Sequence, residues 1–206
     1  MNLVIFGPPG AGKGTQSNFI VKKFNLYQIS TGELLRSEIK NKTNLGQDIS
    51  SIINSGCLVS DEIVSKLIEK YISNDKFKNK LIFDGYPRNL SQAKNLKFLL
   101  EQYNQKIDLV LKLDVDLKTI KIRISERKLL EKRDDDSEEI AEKRYITYEK
   151  NIDPVINFYK QSNLLKVVNG EASITEINSE ISGIIESIKG WLWMITQYKY
   201  ARTLIH

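Results

Sequence analysis

The run Gly7-Pro8-Pro9-Gly10-Ala11-Gly12-Lys13-Gly14-Thr15 follows directly on the apolar stretch Leu3-Val4-Ile5-Phe6. A buried strand that breaks into a glycine-rich loop and then a helix makes a phosphate cradle. The glycines let successive backbone N–H groups turn inward, the helix N-terminus adds its positive dipole end, and Lys13 supplies a mobile cation. The spacing fits G-x-x-x-x-G-K, but Gly14 stands where the general motif has Ser or Thr, and the hydroxyl comes one place later, at Thr15. The chemistry predicted is the holding of a nucleoside triphosphate.

The cations are the second chemical feature. The chain carries +5 formal charge, with seven arginines among 31 basic residues: Arg36, Arg88, Arg123, Arg127, Arg133, Arg144 and Arg202. Lysine serves for generic charge, so arginine is either kept where a planar, bidentate fork meets phosphate oxygens or left arbitrarily by codon usage; placement decides between the two. A basic balance suits nucleic acid or phosphate-rich small ligands. No Lys/Arg-rich run or aromatic-basic ribbon is present, so no nucleic acid partner is expected, and no Asn-Lys-x-Asp guanine motif supports a GTPase switch. The one histidine is His206, which argues against His-based hydrolase or dehydrogenase chemistry. The one cysteine, Cys57, allows neither an internal disulfide nor a Cys-based zinc site, and a reducing cytoplasm is the expected setting. The first strand and the loop occupy the N-terminus, so no signal peptide is expected.

Positioning these groups requires a sheet. Five β-rich runs stand out, Leu3–Phe6, Tyr27–Ile29, Leu81–Phe83, Leu109–Leu113 and Leu165–Val168, with helical patterns between them. That is βαβ repetition and predicts an α/β fold with a parallel sheet. Ser30-x-x-Glu33 and Ser173-x-x-Glu176 have capping-box form. Helices are expected over Asp61–Ile72, Leu90–Tyr103 and Asp116–Arg127, the last placing Arg123 and Arg127 on one face, while Pro154 is expected to break or kink its helix. Residues 31–59 read as a small helical insertion. In such sheets ligands bind beyond the carboxyl ends of the strands. The loop, Ser30-Thr31, Asp84-Gly85 and Arg88 all follow strands and converge there.

With these residues laid out, the chain resembles the adenylate kinases, within the nucleoside monophosphate kinases. The motifs are GPPGAGKGTQ at 7–16, STGELLR at 30–36, GCLVSDEIV at 56–64, FDGYPRNLSQA at 83–93, and Arg123 and Arg127 followed by RDDDSEEIAEKR at 133–144. The resemblance covers residues 1–189. It implies a P-loop fold of three layers around a five-stranded sheet and reversible phosphoryl transfer from Mg-ATP to AMP, giving two ADP. Its parts would be a core of 1–29, 60–126 and 134–189, an acceptor-binding insertion at 30–59 and a short lid at 127–133.

Carried over by motif, Gly10, Ala11, Gly12, Lys13, Gly14 and Thr15 would hold the ATP phosphates, with Lys13 on the transferred group. Arg123 would lie near the ATP adenine, Arg127 on its phosphates, and the backbone at Gly170–Ala172 against the adenine. Thr31, Arg36, Cys57 and Val59 through their backbone, Gly85, Arg88 and Gln92 would form the AMP site. Arg133 and Arg144 would clamp the reacting groups from the lid side, and Asp84 would organise Mg²⁺ through water. Six of the seven arginines thereby fall on functional positions. The chemistry agrees: transfer to an already anionic phosphate needs in-line positioning and charge neutralisation, not a general base.

Thr31 and Gln92 match the adenylate pattern, and a glutamine amide complements adenine N6 and N1, whereas the bland alternative makes Gln92 an exposed helix residue. The second candidate is a UMP/CMP kinase, and a P-loop switch or binding module is the third. Five residues separate Arg127 from Arg133, which resembles the short-lid class without a zinc-binding insertion. Asp134-Asp135-Asp136 reads equally as an acidic helix start or as a pair of carboxylates orienting lid arginines. Cys57 stands where many relatives of this type carry lysine; activity is expected to survive, with an oxidation-sensitive thiol. Residues 190–206 hold both tryptophans and run past the usual family terminus. They are too short and interrupted to span a membrane, and packing as a helical extension, a dimer contact, a membrane-surface segment or an extraneous tail all remain open. A monomer acting on small nucleotides, without a membrane partner, is expected.

Overall fold

The computed structural model describes residues 1–55, 57–131 and 138–203, with the side chains of 129–131, 138 and 191–203 excepted. Two compact units divide it, residues 1–171 and 172–206. In the first, five parallel strands, β1 (Leu3–Phe6), β2 (Tyr27–Ser30), β3 (Leu81–Asp84), β4 (Leu109–Asp114) and β5 (Leu165–Asn169), lie in the order β2-β3-β1-β4-β5. The α/β fold with a five-stranded parallel sheet is as expected, and β2 to β5 each run one residue further than the apolar runs suggested. Those extra residues, Ser30, Asp84, Asp114 and Asn169, are polar and close the carboxyl edge.

Every residue of β1 is buried, as are Leu81, Ile82, Phe83, Leu109, Val110 and Leu111. Strands buried on both faces read as continuous apolar runs, which is why they were visible in the sequence. On one face Val4, Phe6, Ile29, Phe83 and Val110 share a core with Leu35, Ile49, Ile68, Leu96, Val155 and Tyr159 from the helices. Register sets the site: Ile5 lies opposite Asp84 and Asp84 opposite Ser30, so the segments leaving β1, β2 and β3 emerge side by side. Because β1 is central, with β3 and β4 on either side, the loop after it opens at the point where the strand order reverses.

Helices α1 (Lys13–Phe24), α2 (Thr31–Lys40), α3 (Asn44–Asn54), α4 (Asp61–Ile72), α5 (Leu90–Gln102), α6 (Leu117–Glu131) and α7 (Glu138–Lys160) complete the unit, with a single 3-10 turn at Asp75–Phe77. The Ser30 hydroxyl caps α2 by accepting from Glu33 N–H, and Thr43 caps α3 through Gly46 N–H. The stretch between β2 and α4 holds the α2–α3 pair and no strand among its described residues. Pro154 lies inside α7, which continues through it, so of the expected break or kink the break does not occur. A proline removes one helical hydrogen bond, but Ile152, Val155 and Tyr159 around it are buried in the core and hold the chain in register. In the second unit, α8 (Ile174–Thr203) opens with a reciprocal capping box between Ser173 and Glu176 and carries the backbone of the extension as helix to Thr203. No helix among the described residues is long and apolar enough to cross a membrane.

Candidate active site

The loop after β1 is shaped by its backbone. Gly10 and Gly12 have φ of +86° and +89°, in the left-handed region where a Cβ is strained. Gly12 in that conformation is the residue that turns the chain into α1, leaving the first N–H groups of the helix directed toward the loop. Beside Gly14 a Cβ would meet nothing within 4 Å, so neighbouring protein atoms do not impose the glycine there. The Lys13 ammonium donates to the carbonyls of Gly7 at 2.8 Å and Pro8 at 3.0 Å. Its dense surroundings lower its pKa to about 8; Asp84 opposes that shift, and Arg88 and Arg127 add to it.

Asp84 ends β3 almost fully buried, and its Oδ2 accepts from the Gln28 side chain at 2.9 Å. Four residues later, the Arg88 guanidinium donates through Nε to the Gly85 carbonyl at 2.7 Å. Crowding by protein atoms lowers the Arg88 pKa to about 10, with Arg144 and Arg36 adding to the shift and Asp84 opposing it, although the residue is exposed to solvent. One carboxylate therefore acts on both Lys13 and Arg88, while Arg127 adds positive charge near Lys13 and Arg36 and Arg144 add it near Arg88. Such crowding of like charges costs stability unless anions arrive to neutralise it. Arg123 sits one turn before Arg127 on α6 and is not among the charges acting on Lys13 or Arg88.

A pocket is lined by Thr31, Leu35, Leu58, Val59, Val64, Gly85, Arg88 and Gln92. Leu35, Leu58, Val59 and Val64 give the lining its apolar part, and Thr31, Gly85, Arg88 and Gln92 give it hydrogen-bonding groups. The Thr31 hydroxyl donates to the Gly85 carbonyl at 2.9 Å, so toward a ligand it can only accept. Gln92 is 3% exposed, which removes the alternative that it is a solvent-facing helix residue. Asn89 caps α5 by accepting from Gln92 N–H at 2.8 Å, while the Gln92 Oε1 accepts from Arg88 N–H at 2.7 Å.

A triphosphate loop, a second pocket for a base and a shared cluster of arginines are the requirements of a transfer between two nucleotides. A family model described as adenylate kinase matches residues 5–164. The chain belongs to the adenylate kinase family. It is 41% identical to the adenylate kinase of Pelagibacter ubique (strain HTCC1062), an alignment spanning 90% of this chain and all of that one. The adenylate kinases of Cyanothece sp. (strain PCC 7425) and Porphyromonas gingivalis (strain ATCC 33277) are 37% and 38% identical, over 91% and 92% of this chain and 96% and 97% of theirs. As an adenylate kinase, the chain is a phosphotransferase that interconverts ATP plus AMP with two ADP.

Within this adenylate kinase the predicted acceptor residues divide. Thr31, Val59, Gly85, Arg88 and Gln92 line one pocket, whereas Cys57 is exposed and outside that lining. Lys143 of α7 donates to the Ser55 carbonyl at 2.7 Å and approaches the Cys57 sulfur at 3.6 Å. The Ser55 hydrogen bond and the Lys143 charge lower the pKa of that thiol. Arg144, expected on phosphate, donates to the Ile53 carbonyl at 3.3 Å, so two neighbouring cations of α7 hold the C-terminal end of α3. Arg133 and Asp134 to Asp136 lie outside the described residues, and Ala172 begins the second unit. Residues the sequence reading missed are Leu35, Leu58 and Val64, which form the apolar wall, Gln28, which holds Asp84, and Asp61, which touches Gln92. Asp61 was visible only as an acidic helix start; nothing local announced its partner 31 positions away.

Proposed function

We propose that this enzyme transfers the terminal phosphoryl group of ATP in line to AMP bound in the Thr31–Gln92 pocket. The observation that carries the reading is a shared cluster of charge: Asp84 acts on both Lys13 of the loop and Arg88 of the pocket, with Arg127 acting on Lys13 and Arg36 and Arg144 on Arg88. Gly10 to Thr15 cradle the ATP phosphates with backbone N–H groups, and Lys13 leaves the Gly7 and Pro8 carbonyls for the transferred group. Arg88 and Arg36 hold the AMP phosphate, and Arg127, Arg133 and Arg144 neutralise charge that builds on the moving oxygens. Because the acceptor oxygen is already anionic, no residue is asked to remove a proton.

Asp84 fits a hard divalent cation arriving with the nucleotide: it offers carboxylate oxygen, Gln28 occupies only Oδ2, and Mg²⁺ commonly keeps several waters. When bound, Mg²⁺ supplies charge neutralisation on the phosphate oxygens, with Asp84 meeting it through water. Arg123 is assigned to the ATP adenine, and Val59 and the Cys57 backbone to the AMP base and ribose. Residues 30–59 act as the acceptor-binding insertion and 127–133 as a short lid that closes without zinc and excludes water. The same reading makes the protein a cytoplasmic monomer that engages neither nucleic acid nor membrane.

A coupled assay of ADP formation with ATP against AMP, UMP, CMP and dTMP tests it. AMP is expected to give the highest kcat/KM. ATP hydrolysis without AMP-stimulated ADP formation would overturn it, and a preference for UMP or CMP would move the acceptor assignment.

A further inference from the structure

The Gln92 amide is held at both ends. Its Nε2 donates to Asp61 Oδ1 at 2.6 Å and its Oε1 accepts from Arg88 N–H at 2.7 Å. Asp61, the first residue of α4, is itself fixed by the Asn89 side-chain amide, which donates to both carboxylate oxygens at 3.2 Å. Reversing the Gln92 amide would set Nε2 against a backbone N–H and Oε1 against a carboxylate. Donor would face donor and acceptor would face acceptor, so the reversed state is closed. Each end keeps one capacity toward a ligand: a lone pair on Oε1 and a hydrogen on Nε2. The pocket therefore presents an acceptor and a donor in one fixed order.

That order matters for what is rejected. A 6-aminopurine offers a donor at N6 and an acceptor at N1, and a 6-oxopurine offers the reverse, an acceptor at O6 and a donor at N1. A freely rotating glutamine could serve either base by turning over; a locked one cannot. We infer that Asp61 is a positioning residue that sets acceptor specificity, holding Gln92 so that 6-oxopurine monophosphates are refused. This rests on Gln92 reading the acceptor base. The mechanism is exclusion by unpaired buried polar groups, which discriminates more strongly than the loss of a favourable contact.

The test compares AMP with IMP, which differ only at the 6-position and N1. The unaltered enzyme is expected to favour AMP in kcat/KM by about a hundredfold or more. In Asp61→Asn the new amide can face Gln92 as donor or acceptor, and in Asp61→Ala the partner is gone. In each, the AMP-to-IMP ratio is expected to fall about tenfold or more, the worth of one charge-assisted hydrogen bond, mainly through better use of IMP. A purely structural role would lower both substrates together and leave the ratio unchanged, and that result overturns the inference. If the unaltered enzyme shows no preference for AMP over IMP, the Gln92 assignment itself fails, a different outcome from a preference that survives both variants. Should the variants not fold, the unaltered enzyme still decides: cytosine shares adenine's donor–acceptor order and uracil the reverse, so CMP is expected to exceed UMP in kcat/KM, and the opposite ranking refutes the lock.

Discussion

The two proposed nucleotide subsites are built from different materials. The ATP loop is backbone: Gly10 and Gly12 in left-handed conformation, the start of α1, and one lysine bonded to carbonyls of its own loop. The acceptor pocket is side chain, drawn from α2, α4, α5 and the segments after β3 and α3. A backbone cradle recognises what all triphosphates share, whereas a pocket of fixed side chains can tell one base from another. Generality is encoded locally and selectivity at long range.

The sharpest break in that contrast is Arg88→Ala. Loss of a bidentate phosphate contact in the acceptor pocket is expected to lower kcat by about 10²-fold or more while the melting temperature changes little. Steady-state kinetics with a thermal melt checks this, and near-normal turnover would remove Arg88 from the reacting groups.

Next come two glycines, Gly46 at the α2–α3 contact of the 30–59 insertion and Gly12 in the loop. A Cβ at Gly46 would lie 2.1 Å from the Glu38 carbonyl oxygen, where α3 meets α2, so Gly46→Ala must push backbone apart. It is expected to cost about 1–3 kcal/mol and to raise KM for AMP more than for ATP. At Gly12 a Cβ meets nothing within 4 Å and only the φ of +89° is strained. Gly12→Ala is expected to cost about 1–2 kcal/mol and to weaken ATP more than AMP. Denaturant unfolding and the two KM values separate these cases; an effect on the same substrate from both would contradict the division.

Titration sharpens it further. Lys13 loses its charge near pH 8 in the free enzyme, whereas Arg88 keeps its charge to about 10. ATP affinity is therefore expected to fall as pH rises through 8, by up to about tenfold per unit, with proton uptake on binding in that range. AMP affinity stays flat there. Because the folded Lys13 value lies below its ordinary 10.5, the unfolded chain binds more protons between the two, and the contribution of this group to stability improves as pH rises from 8 to 10.5. Calorimetry in buffers of different ionisation enthalpy reads the uptake; parallel pH dependence of ATP and AMP would refute the assignment.

The smallest effect is at Cys57, exposed and outside the pocket lining. Its alkylation is expected to leave turnover within about twofold, and Lys143→Gln to slow the modification by removing the cation that favours thiolate. Rates followed by mass spectrometry check both, and abolished turnover would place Cys57 inside the acceptor site.

Much of the fold was legible because its signals are local. Burial on both faces left apolar runs at β1, β3 and most of β4, and the β-rich runs at the edge strands β2 and β5 were legible too. All five agree within a residue at each end, and Asp61 to Ile72 reads as a helix at both boundaries. Pro154 does not break α7, because a local penalty of one hydrogen bond is outweighed by the core around Ile152, Val155 and Tyr159. Arg144 was placed on phosphate by motif, and its bond to the Ile53 carbonyl could not have been read from the chain, since 91 positions separate them.

The sequence by itself determined the triphosphate cradle, the parallel sheet and the set of arginines, since each depends on conformational preference or periodicity within a few residues. Only the tertiary structure decided how those parts face one another. It brought Asp84 close enough to act on both Lys13 and Arg88, buried Gln92, and set Asp61 against its amide. Donor and acceptor order at a buried site depends on which distant groups meet there, and chain folding alone settles that.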